Sequence, residues 1–134
     1  MLRKHLNPVM NQANKLTVAN YLRNISRYIL LIITVLTLVF ALLSGAEING
    51  GGVYGIIHNS PNALPWLILL AMIYVAWKWE LIGGVIISLS GIFMMYYFHV
   101  FSSNFHVITL ILTLMIFLLG TFFIISWYLR RDKI

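Results

Sequence analysis

The chain has 134 residues, of which 61% are hydrophobic and 9% are charged; its formal net charge is +6 and it has no cysteine. A soluble domain carries about 25% charged residues and could not bury this much apolar side chain, so the composition excludes a soluble globular fold. The lack of cysteine excludes disulfides and thiolate metal sites. We therefore expect one membrane domain whose surplus apolar surface faces the lipid bilayer.

The positive charge is concentrated near the two ends of the chain. Five of the nine lysines and arginines precede residue 28, three follow residue 129, and the ninth is Lys78. Basic residues beside hydrophobic spans are typical of cytoplasmic flanks under the positive-inside rule. This distribution explains the charge without a nucleic acid partner.

Residues 1–27 are polar to amphipathic. Leu16, Leu22 and Ile25 recur at roughly helical spacing, with arginines between them. One interpretation is a cytoplasmic helix that lies in the membrane interface and leads into the first span. The other is a partly ordered tail, and the pattern leaves both open.

The first predicted span covers residues 28–46, which carry no charge. Residues 45–62 then break the apolar pattern, because they contain five glycines and no lysine or arginine. This composition predicts the longest loop on the side opposite the basic ends.

From residue 64 to residue 101 the chain is hydrophobic over 38 positions, apart from the stretch that contains Lys78 and Glu80. A single helix of that length would run about 57 Å, nearly twice the thickness of the hydrocarbon core. We therefore predict two spans, at about 63–79 and 81–101. The last span is predicted at 107–129, followed by a basic tail at 130–134.

Four spans return the chain to the side on which it began. The predicted fold class is an all-α polytopic membrane protein, an antiparallel bundle of four transmembrane helices with both termini cytoplasmic. The four-helix membrane domain would occupy residues 28–129. Tryptophan and tyrosine favour membrane interfaces, and in this sequence they fall near the predicted span ends.

Trp77, Lys78, Trp79 and Glu80 fall between the second and third spans. A cation at a helix C-terminus and an anion at a helix N-terminus each contribute about 0.3–1 kcal/mol. At the bilayer centre each charge would instead cost at least about 2.5 kcal/mol. The comparison favours a cytoplasmic surface turn over a buried ion pair.

Gly84, Ser88 and Gly91 stand at positions i, i+4 and i+7 of the third span. Small residues at this spacing let a second helix approach closely in lipid. We expect this helix-packing stripe to contact another helix of the same chain, although a partner protein is the alternative.

The stretch "AWKWELIGG", residues 76–84, and the ending "ISWYLRR", residues 125–131, carry a resemblance. They resemble a family of small, uncharacterised bacterial four-helix membrane proteins with a Trp-Lys/Arg-Trp-Glu-x-x-Gly-Gly turn. The resemblance covers residues 20–131. It implies the same topology and a bacterial cytoplasmic (inner) membrane, and it implies no activity.

His58, His99, His106 and Glu47 all fall on the predicted outer side. Imidazole and carboxylate groups could hold a divalent metal, and histidines from two helices could hold a haem. The chain contains no HxxxH or HExxH spacing. We therefore favour solvated or hydrogen-bonded interfacial histidines, and no cofactor is predicted.

Away from the interfaces the predicted spans contain no Asp, Glu, Lys or Arg, and no nucleophile–base pair is visible. Transport and proton relay normally need such groups at depth. We expect a non-catalytic accessory or stabilising subunit of a larger membrane complex, which binds other membrane subunits or itself. The alternative is a haem- or metal-binding redox protein that uses the outer histidines.

Overall fold

The computed structural model describes residues 2–98, 103 and 106–131, with side chains in the first helix from Asn7 onward. These residues form five α-helices and no strand. The helices are α1 (Leu2–Ser44), α2 (Gly52–Asn59), α3 (Leu64–Lys78), α4 (Glu80–Tyr97) and α5 (Val107–Arg131). A 3₁₀ turn, Ser60–Ala63, joins α2 to α3.

Four helical segments are long and apolar enough to cross a membrane. They are Asn7–Ser44, Gly52–Lys78, Glu80–Tyr97 and Val107–Arg131. The shortest has 18 residues and runs about 27 Å, close to the thickness of a hydrocarbon core. The predicted fold class, all-α with four membrane-spanning helices, is confirmed.

The helices surround a small apolar core. Its members are Leu30, Leu69, Ile73, Ala76, Ile87, Met94, Ile116, Leu119 and Phe123. Many other large apolar side chains point outward; Phe40, for example, is 71% exposed. In water such a surface would promote aggregation, but in a bilayer it contacts lipid acyl chains.

Hydrogen bonds between helices show which segments share an end of the bundle. Ser126 Oγ donates to the Ala19 carbonyl at one end, and Asn59 Nδ2 donates to the Ala41 carbonyl at the other. The first of these places the N-terminal part of α1 beside the C-terminal part of α5. We call this the basic end, made up of residues 19–27, 77–80 and 126–131.

Helix α1 is longer than the membrane requires. Its 43 residues correspond to about 65 Å. Residues 7–15 are all exposed, so α1 extends beyond the basic end of the bundle. The helix continues without a break across residues 27 and 28, which makes the N-terminal segment an extension of the first span rather than a separate element.

The prediction of a loop throughout residues 45–62 is wrong for α2, Gly52–Asn59. Gly50, Gly51 and Gly52 adopt φ angles of 101°, 72° and 58°, a region that side chains disfavour, so glycine is needed where the chain turns. Val53, Ile56 and Ile57 then recur at helical spacing. The turn-forming glycines concealed this short helical pattern.

The most extensive contact between helices in the described part of the chain joins α4 to α5, and it is made through small residues. A Cβ on Gly84 would lie 2.8 Å from Phe123 Cβ, and one on Gly91 would lie 2.8 Å from the Phe117 backbone nitrogen. From the other side, a Cβ on Gly120 would lie 2.6 Å from Ser88. The stripe of Gly84, Ser88 and Gly91 thus packs against a helix of the same chain.

We expect Gly91→Leu to lower the free energy of unfolding by about 1–3 kcal/mol, because the added side chain must push α5 away. Ile92→Leu is the matched control, since Ile92 is 50% exposed on the outer face of the same helix. Thermal unfolding in detergent, followed by circular dichroism, measures both. Equal melting temperatures for the two variants would contradict the packing argument.

Candidate functional site

A one-residue turn joins α3 to α4 at the basic end. Trp79 alone lies between the helices, with extended backbone angles of φ −128° and ψ 90°. Its N–H donates to the Val75 carbonyl at 2.7 Å, and its own carbonyl accepts from the Gly83 N–H at 2.9 Å. A Cβ on Gly83 would overlap the backbone of Ala76. Glycine at this position therefore allows the two helices to touch directly after the turn.

The two charged residues of the turn have different partners. Lys78 Nζ lies 4.7 Å from the centroid of the Trp79 ring, an exposed cation–π contact. Glu80 instead forms an ion pair with Arg130 of α5, with 3.5 Å between Oε1 and Nη2. The Glu80 side chain is only 14% exposed. The carboxylate therefore joins α4 to α5, besides standing at the N-terminus of its own helix.

Arg130 connects three helices. Its Nη2 lies within hydrogen-bonding distance of Glu80 on α4, of Ser126 Oγ (2.9 Å) on its own helix and of the Ala19 carbonyl (3.3 Å) on α1. The fully buried Ser126 hydroxyl donates to the same carbonyl at 2.8 Å. These bonds hold the last turns of α5 against α1 and α4.

Arg27 makes the corresponding connection from α1 to α3. Its Nη2 donates to the Trp77 carbonyl at 3.2 Å, and its guanidinium carbon lies 5.4 Å from the Trp77 ring centroid. The Trp77 carbonyl belongs to the last turn of α3, where helix carbonyls lack partners within the helix. One turn earlier on α1, Arg23 Nη2 donates to Asn20 Oδ1 at 3.5 Å.

We call this group of residues the polar junction, because it joins α1, α3, α4 and α5 at the basic end. Its members are Ala19, Arg23, Arg27, Trp77, Glu80, Ser126 and Arg130. The junction offers several guanidinium donors and one carboxylate. This chemistry is suited to tethering helices and to recognising an anion.

The charges of the junction act on one another. Arg130 is partly desolvated, is attracted by Glu80 and is repelled by Arg23 and Arg27. Arg27 is likewise partly desolvated, and it is repelled by Arg23 and attracted by Glu80. The junction contains three arginines and a single carboxylate, which leaves it with a surplus of two positive charges.

Only part of this site is predicted by the sequence. The predicted turn comprises Trp77, Lys78, Trp79 and Glu80. No contact between helices is predicted for the other residues, which are Arg23, Arg27, Ser126 and Arg130. Two patterns in the sequence could have indicated these four residues. Arg23 and Arg27 are four residues apart on one helix, and Ser126 and Arg130 are four apart on another, which places each pair on a common face.

Three of the four residues proposed for a metal or haem lie at the opposite end of the bundle. His58 of α2 is exposed and stacks on Tyr54, with 6.0 Å between ring centroids. Glu47 and His106 are also exposed, and His99 lies outside the described residues. Within the described part of the chain, no group of three His, Asp or Glu side chains converges as a metal site would require.

Four apolar helices able to cross a bilayer, with the arginine contacts of the polar junction at one end, are the architecture of a small multi-pass integral membrane protein. The chain belongs to the family DUF7670, described as a domain of unknown function, whose model matches residues 12–134. The match is consistent with the expected uncharacterised family. Neither a search of curated proteins nor one of solved structures gave a match.

We expect Glu80→Gln and Arg130→Gln each to lower the free energy of unfolding by about 1–3 kcal/mol, because each leaves a partly buried charge without its partner. The double variant should lose less than the sum of the two single losses. Unfolding in detergent of the wild type, the two single variants and the double variant measures the coupling free energy of this double-mutant cycle. Lys78→Gln is the control, since Lys78 is exposed and should change stability by less than about 0.5 kcal/mol. Strictly additive losses would contradict a direct Glu80–Arg130 interaction.

Proposed function

We propose that this protein is a non-catalytic accessory subunit that binds and stabilises a larger membrane complex. Between residues 28 and 129 the only charged residues are Glu47, Lys78 and Glu80. Glu47 is in the exposed turn after α1, while Lys78 and Glu80 lie at helix ends. Active transport, proton relay and intramembrane catalysis normally use ionisable groups at depth, so this distribution supports a binding role.

The observation that carries the proposal is the exposed N-terminal extension of α1. Residues 7–15 form continuous helix while all of them are exposed. Val9 and Met10 are 64% and 60% exposed, so apolar side chains project from this helix. Apolar side chains that project from the bundle in this way cost free energy when they are exposed to water. A partner protein that covers these side chains would supply the missing stabilisation.

We further propose that the protein resides in a bacterial cytoplasmic membrane with its basic end in the cytoplasm. The positive-inside rule supports this orientation, because eight of the nine lysines and arginines flank the spans near the chain ends. Trp77, Trp79 and Tyr128 are 45%, 52% and 54% exposed, which is typical of interfacial aromatic side chains.

The partner proposal is tested by gentle detergent extraction of the tagged full chain from native membranes, followed by mass spectrometry of the comigrating proteins. We expect a stoichiometric membrane partner that is retained by Asn11→Glu combined with Gln12→Glu and lost with Val9→Glu combined with Met10→Glu. The control adds the same two charges at exposed polar positions of the same segment.

Two results would overturn the accessory role. In the first, the wild-type protein migrates alone as a small monomer under every gentle extraction condition. In the second, the purified protein shows a Soret band or a stoichiometric metal that is lost on His99→Ala. That result would establish the redox alternative instead.

The orientation is tested by reporter fusions after Tyr54, Lys78 and Ser103. We expect a cytoplasmic signal at position 78 and external signals at positions 54 and 103, because the one-residue turn lies at the basic end. An external signal at position 78 would reverse the proposed orientation.

A further inference from the structure

The polar junction has more hydrogen-bond donors than acceptors. Five buried polar side-chain atoms among the described residues have no hydrogen-bond partner: Arg23 Nε, Ser26 Oγ, Arg27 Nε, Thr34 Oγ1 and Arg130 Nε. Three of these five belong to arginines of the junction, and a fourth, on Ser26, lies one position before Arg27. An arginine Nε can only donate, and a serine hydroxyl can donate as well. These side chains are therefore suited to bind an added acceptor.

The charge balance of the junction also favours an added acceptor, and one that is negatively charged. Arg27 and Arg130 are both attracted by the single carboxylate of Glu80, and both are repelled by Arg23. All three arginines are partly buried, and the Arg130 side chain is 20% exposed. Charges drawn partly out of water need compensation, and like charges held together need it more. An anion with several acceptor oxygens would supply both compensation and hydrogen bonds.

The junction's position selects the kind of anion. Trp77 and Tyr128, which belong to the same end of the bundle, are half-exposed aromatic residues of the type found at the level of lipid headgroups. The characteristic anion at that level is the phosphate of a phospholipid. Guanidinium groups match phosphate oxygens in geometry, and Arg23 and Arg27 share one face of α1 because they are four residues apart.

We propose that the polar junction binds the phosphate of an anionic phospholipid, with Arg23 and Arg27 as its main contacts. The lipid phosphate would accept hydrogen bonds from guanidinium nitrogens of the junction that have no acceptor within the bundle. A lipid with net negative charge is preferred over a zwitterionic one, because the junction carries two surplus positive charges. This inference is independent of the accessory role proposed above.

The test is native mass spectrometry of the detergent-purified full chain, incubated with equal amounts of phosphatidylglycerol and phosphatidylcholine. We expect one phosphatidylglycerol to be retained in preference. Arg23→Gln and Arg27→Gln should each weaken that retention about fivefold, the effect of one basic side chain near an anionic surface. Lys15→Gln and Lys78→Gln remove the same charge outside the junction and should change retention by less than about twofold.

A second variant separates loss of binding from loss of folding. Arg23→Lys keeps the positive charge but removes the planar guanidinium, so we expect weaker retention with an unchanged circular dichroism spectrum. Arg23 suits this purpose because it hydrogen-bonds to Asn20 within its own helix, whereas Arg130 holds three helices together.

A parallel incubation with inorganic phosphate distinguishes the source of the phosphate group. Retention of free phosphate without lipid would overturn the lipid assignment. Equal retention of the two lipids by the wild-type protein would overturn the anion site, and would indicate that water satisfies the unpartnered donors. Equal losses of phosphatidylglycerol retention in the junction variants and in the Lys15 and Lys78 controls would show general charge attraction. That result would also overturn the anion site.

Discussion

The close approach of α4 to α5 is the constraint on which the rest of this structure depends. In lipid there is no hydrophobic force between helices, so they associate through van der Waals contact and hydrogen bonds. Gly84 and Gly91 on α4 face Gly120 and Phe117 on α5 at distances that leave no room for a further methyl group. This contact fixes the register of the two helices, and the register brings Glu80 at the start of α4 to Arg130 near the end of α5.

The polar junction follows from that register. Because Arg130 is held beside Glu80, its guanidinium also reaches Ser126 and the Ala19 carbonyl, so that α1 joins the pair. Arg27 then ties α1 to the last turn of α3. Polar contacts at the end of an apolar bundle avoid the cost of charge at membrane depth while they define which helices are neighbours. The same arrangement leaves surplus positive charge at the basic end.

Much of the fold could be predicted because membrane spans are encoded by composition over long windows. The turn at Lys78 and Glu80 was also predictable, because these two charged residues interrupt an apolar run that is too long for one span. Helix α2 was hidden by the surrounding glycines, which signal turns more strongly than three apolar residues signal a helix. The partners of Glu80 were not predictable, because Arg130 lies 50 residues away along the chain.

The sequence by itself determined that this is a four-helix membrane protein with basic flanks, a charged turn and a stripe of small residues. These features depend on local composition and helical period, which do not require knowledge of neighbouring helices. Only the tertiary structure decided that the stripe packs against α5 and that Glu80 pairs with Arg130 rather than standing alone at a helix end. The physical reason is that helices in lipid associate through complementary shape and through hydrogen bonds between distant residues, and a periodic stripe on one helix does not show which other helix it contacts.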